Sequence, residues 1–156
     1  MQKELKEVLN KQLLRQKPTG EQFAAFTEAL RSLKDSIRND ESEEFNKNLI
    51  MTFLKDAFYR NRNLVNTAGY IDCAIYETIN SNSPIEVIIE AKSPNNTAEF
   101  PSRTNLNCKA MQELVLYFMR ERFGNKNITL KHLVITNGNE WFVIDATEFE
   151  KHFAND

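Results

Sequence analysis

The sequence predicts a mixed α/β fold in which helices flank a central β-sheet and a helical hairpin precedes it. Its 156 residues are about the length of one domain. With 41% hydrophobic residues, 27% charged residues and few glycines or prolines, the composition is that of a globular protein. Apolar residues follow the helical period in some segments and form short β-branched runs in others, so we expect both kinds of element.

Residues 1–39 are predicted to form the helical hairpin, packed on the core of the domain. The first helix spans about residues 2–16 and ends at Lys17-Pro18-Thr19-Gly20, because proline and glycine stop a helix. The second helix has an apolar stripe with spacings of three and four, made of Phe23, Phe26, Leu30, Leu33 and Ile37. Such a stripe indicates core packing or, alternatively, a partner-binding arm.

Residues 40–156 are predicted to form the core. A third helix starts in an acidic run and continues to about Tyr59. Two runs rich in β-branched and aromatic residues follow at 70–77 and 85–92. A polar turn separates them, which is typical of a β-hairpin.

The second half of the core continues with a helix predicted at 105–122. Two short strands then flank Asn137-Gly138-Asn139, a strong signal for a tight turn, and a last helix spans about 147–153. The alternation of helices with strand pairs predicts a mixed sheet.

The charge balance argues against a general nucleic-acid-binding protein. The formal net charge is −2 and the pI is about 5.8, whereas such domains carry a strong basic excess. The acidic excess is concentrated in one short run, which consists of Asp40, Glu41, Glu43 and Glu44.

We expect a cytoplasmic protein. The N-terminus is charged where a secretory signal would be apolar. Cys73 and Cys108 lack the CxxC spacing of a zinc site, so reduced, buried thiols are expected.

Ionisable residues interrupt the two strands of the predicted hairpin. Alternation places Glu90 and Lys92 on one face, roughly 7 Å apart at about 3.3 Å per residue. Asp72 in the preceding strand lies beside Glu90 if the register permits. Paired carboxylates resist burial unless a cation, a proton or a basic group compensates them. Such oxygen ligands suit Mg²⁺, and the backbone carbonyl of Ala91 can add another.

A surface ladder of salt bridges on a solvated strand face is the alternative for these residues. The strand at 85–92 is apolar on both faces, which disfavours that interpretation. In a metal site, Lys92 can orient or deprotonate a bound water, or neutralise charge on a phosphate.

Gly69-Tyr-Ile-Asp72 followed by Glu90-Ala-Lys92 resembles the motif of the PD-(D/E)xK nucleases, with Ile71 in place of the proline. Four further stretches make nearly the whole chain similar to the N-terminal endonuclease region of type IIG restriction-modification enzymes. They are Glu43-Glu-Phe-Asn-Lys-Asn-Leu49, Lys109-Ala-Met-Gln-Glu-Leu-Val-Leu-Tyr117, Lys131-His-Leu-Val-Ile-Thr-Asn137 and Glu140-Trp-Phe-Val-Ile-Asp145.

This resemblance implies a restriction-endonuclease-like sheet with Asp72, Glu90 and Lys92 as catalytic residues. The implied metal ligands are Asp72, Glu90, the Ala91 backbone carbonyl and Glu43, which would bind Mg²⁺ or Mn²⁺. Helical geometry favours Glu43 over Glu44, since Glu43 lies within about 20° of the apolar stripe at roughly 100° per residue. The alternative role of Glu43 is that of a solvated acidic residue favoured at a helix start.

Two further sets of residues are weaker candidates. Gln112 and Tyr117 resemble a Gln-xxx-Tyr element of related nucleases, but the spacing is one residue longer. Basic side chains that can contact phosphates, or belong to an ordinary solvated face, are Arg60, Arg62, Arg103, Lys109, Arg120, Arg122 and Lys126.

The function implied by the resemblance is that of a Mg²⁺-dependent, site-specific DNA endonuclease domain. Its partners would be double-stranded DNA, tethered methyltransferase and target-recognition domains, and a second copy in a transient dimer. S-adenosylmethionine would bind only in a domain absent from this chain, which we therefore expect to be part of a larger enzyme. The alternatives are a non-catalytic nuclease-like module that binds DNA or a partner, and a nuclease for RNA or branched DNA.

Overall fold

The computed structural model describes residues 3, 5–9 and 11–154. Two single turns of π-helix, Lys55–Tyr59 and Arg120–Gly124, extend the fourth and fifth helices. The helices are α1 (Leu5–Val8), α2 (Lys11–Arg15), α3 (Gly20–Ser36), α4 (Glu43–Leu54), α5 (Lys109–Met119) and α6 (Ala146–Phe153). The strands are β1 (Val65–Ala68), β2 (Ile71–Tyr76), β3 (Ile85–Ala91), β4 (His132–Thr136) and β5 (Trp141–Asp145).

The five strands form one mixed sheet in the order β1-β2-β3-β4-β5. The pairs β1–β2, β2–β3 and β4–β5 are antiparallel, whereas β3 and β4 run parallel. A parallel pair needs a long crossover connection, which α5 provides. Gly138 has φ +83 in the tight turn between β4 and β5, a conformation that glycine adopts readily.

Helices cover both faces of the sheet. Leu114 and Phe118 of α5 and Phe149 of α6 pack with Ile88 and Leu133 on one face. On the other face, Met51 of α4 packs with a second group of strand residues, Val65, Cys73, Ile75, Ile89 and Val134. Helix α3 packs against α4, and its Leu33 packs with Ile50 and Ala91, so α3 reaches the end of β3.

The start of α4 is held in a defined position. Ser42 caps the helix by accepting a hydrogen bond from the Phe45 amide at 3.1 Å. The fully buried Asn46 accepts a hydrogen bond from the Arg38 amide at 3.2 Å and donates one to the Arg38 carbonyl at 2.9 Å. These bonds fasten the α3–α4 connection and so orient the first turn of α4, which begins at Glu43.

The predicted mixed sheet flanked by helices is confirmed, with three differences. The helix predicted at 2–16 is wrong: α1 and α2 are separate short helices, and residue 2 lies outside the described residues. Val8 and Leu9 are exposed there, so little burial supports one long helix. The helix predicted at 105–122 begins at Lys109, after a loop that contains Asn105. Strand β1 was not predicted, because only Val65 in it is buried.

Both cysteines are free and buried, as expected. Burial raises the pKa of Cys73 to about 12. No helix within residues 5–9 and 11–154 is long and apolar enough to span a membrane.

Candidate active site

Asp72 and Glu90 meet at the end of the β2–β3 hairpin. The register pairs Cys73 with Ile89 and Ala74 with Ile88, and continuing it by one residue places Asp72 opposite Glu90. The Ala91 amide donates a hydrogen bond to Asp72 Oδ2 at 3.1 Å. Because an extended residue directs its N–H and C=O groups to the same side, the Ala91 carbonyl faces the Asp72 strand as well.

Glu90 is a buried carboxyl group with one unpaired oxygen. Its side chain is 1% exposed, and Oε1 lies 2.6 Å from Lys92 Nζ. Oε2 is buried and has no hydrogen-bond partner. Burial, followed by the charge of Asp72, raises the pKa of Glu90 to about 8. A buried carboxyl with an unpaired oxygen is costly for folding alone, which points to a functional role.

Lys92 is the cation at the centre of the site. Its Nζ lies 2.6 Å from Glu90 Oε1, 2.7 Å from Glu113 Oε2 and 3.9 Å from Glu43 Oε1. Burial lowers the pKa of Lys92, but the hydrogen bonds to Glu113 and Glu90 outweigh burial and raise it above its ordinary value. The ammonium is therefore charged at neutral pH and acts as a hydrogen-bond donor.

Glu113 on α5 is a site residue that was not predicted from the sequence. Its Oε2 accepts a hydrogen bond from Lys92 Nζ at 2.7 Å. Burial raises the pKa of Glu113, but its interactions with Lys92 and Glu90 more than offset burial and lower it. Gln112, the sequence candidate, is exposed and donates to Asn107 Oδ1 at 3.4 Å, away from the site.

Tyr117 lies one helical turn beyond Glu113 on the same face of α5. Burial, followed by the charges of Glu90 and Glu113, raises the pKa of Tyr117 to about 12. A spacing of four residues, about one helical turn, places Glu113 and Tyr117 on one face of α5, whereas Gln112 and Tyr117 lie on different faces. This spacing could have identified Glu113 from the sequence.

Helix α4 contributes Glu43 and Lys47 from the opposite side. Glu43 approaches Lys92, whereas Glu44 pairs with Lys47, whose Nζ lies 3.6 Å from Asp72 Oδ1. Burial lowers the pKa of Lys47, but its contacts with Glu44 and Asp72 raise it overall. Lys47 was not predicted as a site residue, although its spacing of four from Glu43 places it on the same helix face.

The assembled site has an excess of negative charge. Two ammonium groups, those of Lys47 and Lys92, face the five carboxyl groups of Glu43, Glu44, Asp72, Glu90 and Glu113. A concentration of one sign of charge around a partly buried site attracts ions of the opposite sign.

The oxygen donors of the site fit Mg²⁺. No three His, Cys, Asp or Glu side chains within the described ranges are grouped closely enough to hold a metal by themselves. Mg²⁺ needs fewer protein ligands, since it keeps several waters and takes one or two carboxylates. Asp72, Glu90 with its unpaired Oε2, and the Ala91 carbonyl provide such a set. Glu43 Oε1 lies 3.9 Å from Lys92 Nζ, and its role as a metal ligand stays a prediction.

Most of the basic phosphate candidates have other partners in the structure. Arg60 pairs with Asp56, Lys109 pairs with Glu99, and Arg122 is held by Glu150 and by backbone carbonyls. Arg62 and Arg120 lie over the rings of Phe58 and Tyr70, respectively. Tyr70 is 78% exposed and lies two residues before Asp72 in the sequence.

Comparisons with known proteins give a family and no function. No curated protein and no solved structure matches the chain significantly. A family model matches residues 3–156, and the chain therefore belongs to that family, a domain of unknown function designated DUF7149.

Proposed function

We propose that this chain is a Mg²⁺-dependent DNA endonuclease domain of the type found in type IIG restriction-modification enzymes. One observation carries the proposal. Asp72 on β2, Glu90 on β3 and Lys92 directly after β3 lie together at one end of the sheet, and Glu90 is fully buried with an unpaired oxygen. This arrangement matches the demands of phosphodiester hydrolysis, which needs a cation and an oriented water.

Asp72, Glu90 and the Ala91 carbonyl would hold the cation. When bound, Mg²⁺ supplies a Lewis acid for the phosphate and lowers the pKa of a coordinated water. The protein supplies the position of these oxygens: the Ala91 amide holds Asp72 Oδ2 at 3.1 Å, and β3 holds Glu90 in the sheet.

Lys92 would orient the attacking water and stabilise negative charge on the phosphate. Because contacts with Glu90 and Glu113 raise its pKa, Lys92 is charged and is a poor general base. A charged ammonium donates hydrogen bonds, and fixed donors near developing negative charge contribute strongly to catalysis. This favours the orienting role over deprotonation of the water.

The substrate and partners of the proposed enzyme follow from the family resemblance of the motif. Double-stranded DNA would be the substrate, and tethered methyltransferase and target-recognition domains would select the sequence. S-adenosylmethionine would bind in the methyltransferase domain. Cleavage of both strands would require a transient dimer, since one such site cuts one strand at a time.

Nicking of a supercoiled plasmid tests the proposal. The parent chain should nick the plasmid with Mg²⁺ or Mn²⁺ and stop when EDTA is added. Asp72→Asn and Lys92→Ala should each lower the rate by about 10²- to 10⁴-fold, the usual range for a group that acts in the transition state. Lys131→Ala is the matched control, because Lys131 pairs with Glu86 at the other end of β3 and is 60% exposed. Equal nicking by all variants would refute the assignment.

A non-catalytic nuclease-like module is the rival function. It is favoured by the fact that Lys92 already provides a counter-ion for Glu90 and Glu113, so the cluster is partly neutralised without a metal. Thermal unfolding with added Mg²⁺ distinguishes the two functions. A metal-binding site predicts stabilisation of about 2.7 kcal/mol at 100 times the Kd, and Asp72→Asn should remove it. Plasmid, RNA and branched DNA substrates, assayed side by side, identify the preferred nucleic acid.

A further inference from the structure

Two carboxylates share the Lys92 ammonium almost equally. Lys92 Nζ lies 2.6 Å from Glu90 and 2.7 Å from Glu113, whereas Glu43 is more distant at 3.9 Å. With a side chain only 5% exposed, Lys92 has little access to water and depends on these carboxylates. A buried ammonium that loses its partners is strongly destabilised.

The two carboxylates differ in the element that carries them. Glu90 lies on β3 beside Asp72, within the set of oxygens proposed to hold Mg²⁺. Glu113 projects from α5, which is fixed to the sheet by the fully buried Ala110 and Leu114. A cation that engages Glu90 would repel Lys92 and weaken the pair between them. Glu113 would then be the carboxylate that retains the lysine.

We propose that Glu113 is a positioning residue, which keeps the Lys92 ammonium in the site when a divalent cation engages Glu90. This inference rests on the proposed nuclease function, and it assigns a role to a residue outside the Asp-Glu-Lys motif. Glu113 acts through Lys92 and has no contact with the cation in this proposal. Glu43 cannot replace it, because its carboxylate is more distant and 43% exposed.

Three variants separate the positioning role from general effects. Glu113→Gln keeps the side-chain shape and removes the charge. Glu113→Asp keeps the charge but withdraws it by one methylene group. Glu99→Gln is the matched control, because Glu99 also pairs with a lysine of α5, Lys109, and its charge is felt by Lys92.

Each variant is assayed for plasmid nicking and for acylation of Lys92. Acylation by an amine-reactive reagent is located by mass spectrometry, with and without Mg²⁺, at a temperature where thermal unfolding shows every variant to be folded. In the parent and in Glu99→Gln, Lys92 should stay protected under both conditions. In Glu113→Gln, Mg²⁺ should accelerate acylation of Lys92 at least severalfold.

The kinetic readout should show a loss in kcat with little change in KM. A displaced catalytic group costs about 10²-fold in rate, which we expect for Glu113→Gln, with a smaller loss for Glu113→Asp. If Lys92 stays protected in Glu113→Gln and kcat matches that of Glu99→Gln, the inference is wrong while the nuclease function stands. If the parent neither nicks DNA nor is stabilised by Mg²⁺, the proposed function itself fails.

Discussion

Strand β3 carries a glutamate near each end, and each glutamate pairs with a lysine, but the two pairs differ in burial. At the far end, Glu86 pairs with Lys131, whose side chain is 60% exposed. At the site, Glu90 and Lys92 have side chains 1% and 5% exposed. An exposed pair contributes little to stability, whereas a buried pair is costly to assemble and costlier to break. A glutamate and a lysine thus form an exposed surface pair at one end of β3 and a buried, charged site at the other.

Removing each lysine tests this contrast with the largest expected effect. Lys92→Met removes the cation shared by the buried Glu90 and the partly buried Glu113, which should cost about 3 kcal/mol or more of unfolding free energy. Lys131→Met should cost less than about 1 kcal/mol. Urea unfolding at pH 7 measures both values. Similar small losses would mean that Lys92 is not the buried counter-ion of the site.

The pH dependence of stability should reveal the buried Glu90. The pKa of Glu90 is raised from 4.5 to about 8, so the unfolded chain ionises this group first as pH rises. Its contribution to stability is therefore full below pH 4.5 and decreases up to about pH 8, by at most about 1.4 kcal/mol per pH unit.

Glu90→Gln removes this dependence and should be more stable than the parent at pH 8. The pKa of Glu113 is lowered from 4.5, so its contribution to stability is lost only as pH falls below that value. Urea unfolding at several pH values between 5 and about 8.5 therefore isolates Glu90. A parallel profile for Glu90→Gln and the parent would contradict the raised pKa.

Replacing each of two buried asparagines should have the smallest effect, but it tests the site most selectively. Asn46 fastens the start of α4 beside the site, whereas Asn127 donates to the Ile85 carbonyl at 2.8 Å at the far end of β3. Replacement of either by alanine leaves backbone groups unpaired and should cost about 1–3 kcal/mol. Nicking by folded protein should fall severalfold for Asn46→Ala alone, since only Asn46 orients Glu43. Equal nicking activity in both variants would show that the start of α4 does not orient a residue needed by the site.

The motif residues were predictable because they depend on strand periodicity. Glu90 and Lys92 alternate onto one face, and the hairpin connects them to Asp72 over a short stretch of chain. Glu113 and Lys47 were not predictable in this way, because they belong to helices whose rotation against the sheet depends on tertiary packing. Adjacent residues on a helix point about 100° apart, so packing selects Glu113 and leaves Gln112 in solvent.

The fold shows the same difference between features set by local pattern and features set by tertiary packing. The β2–β3 hairpin and the Asn137-Gly138-Asn139 turn were predictable from local pattern, and both lie where they were expected. Strand β1 was not, because its pairing with β2 is made by backbone hydrogen bonds that leave little trace in a sequence of Val, Asn, Thr and Ala. Solvent-facing side chains give no sequence signal for this strand pairing.

The hydrogen bond from the Ala91 amide to Asp72 provides a spectroscopic reporter within the site. Most strand amides donate to a neighbouring backbone carbonyl, but this one donates to a side-chain carboxylate at 3.1 Å. Any ligand that takes up Asp72 Oδ2 must alter the environment of this one amide proton. Its NMR resonance can therefore follow occupancy of the site in the unmodified protein.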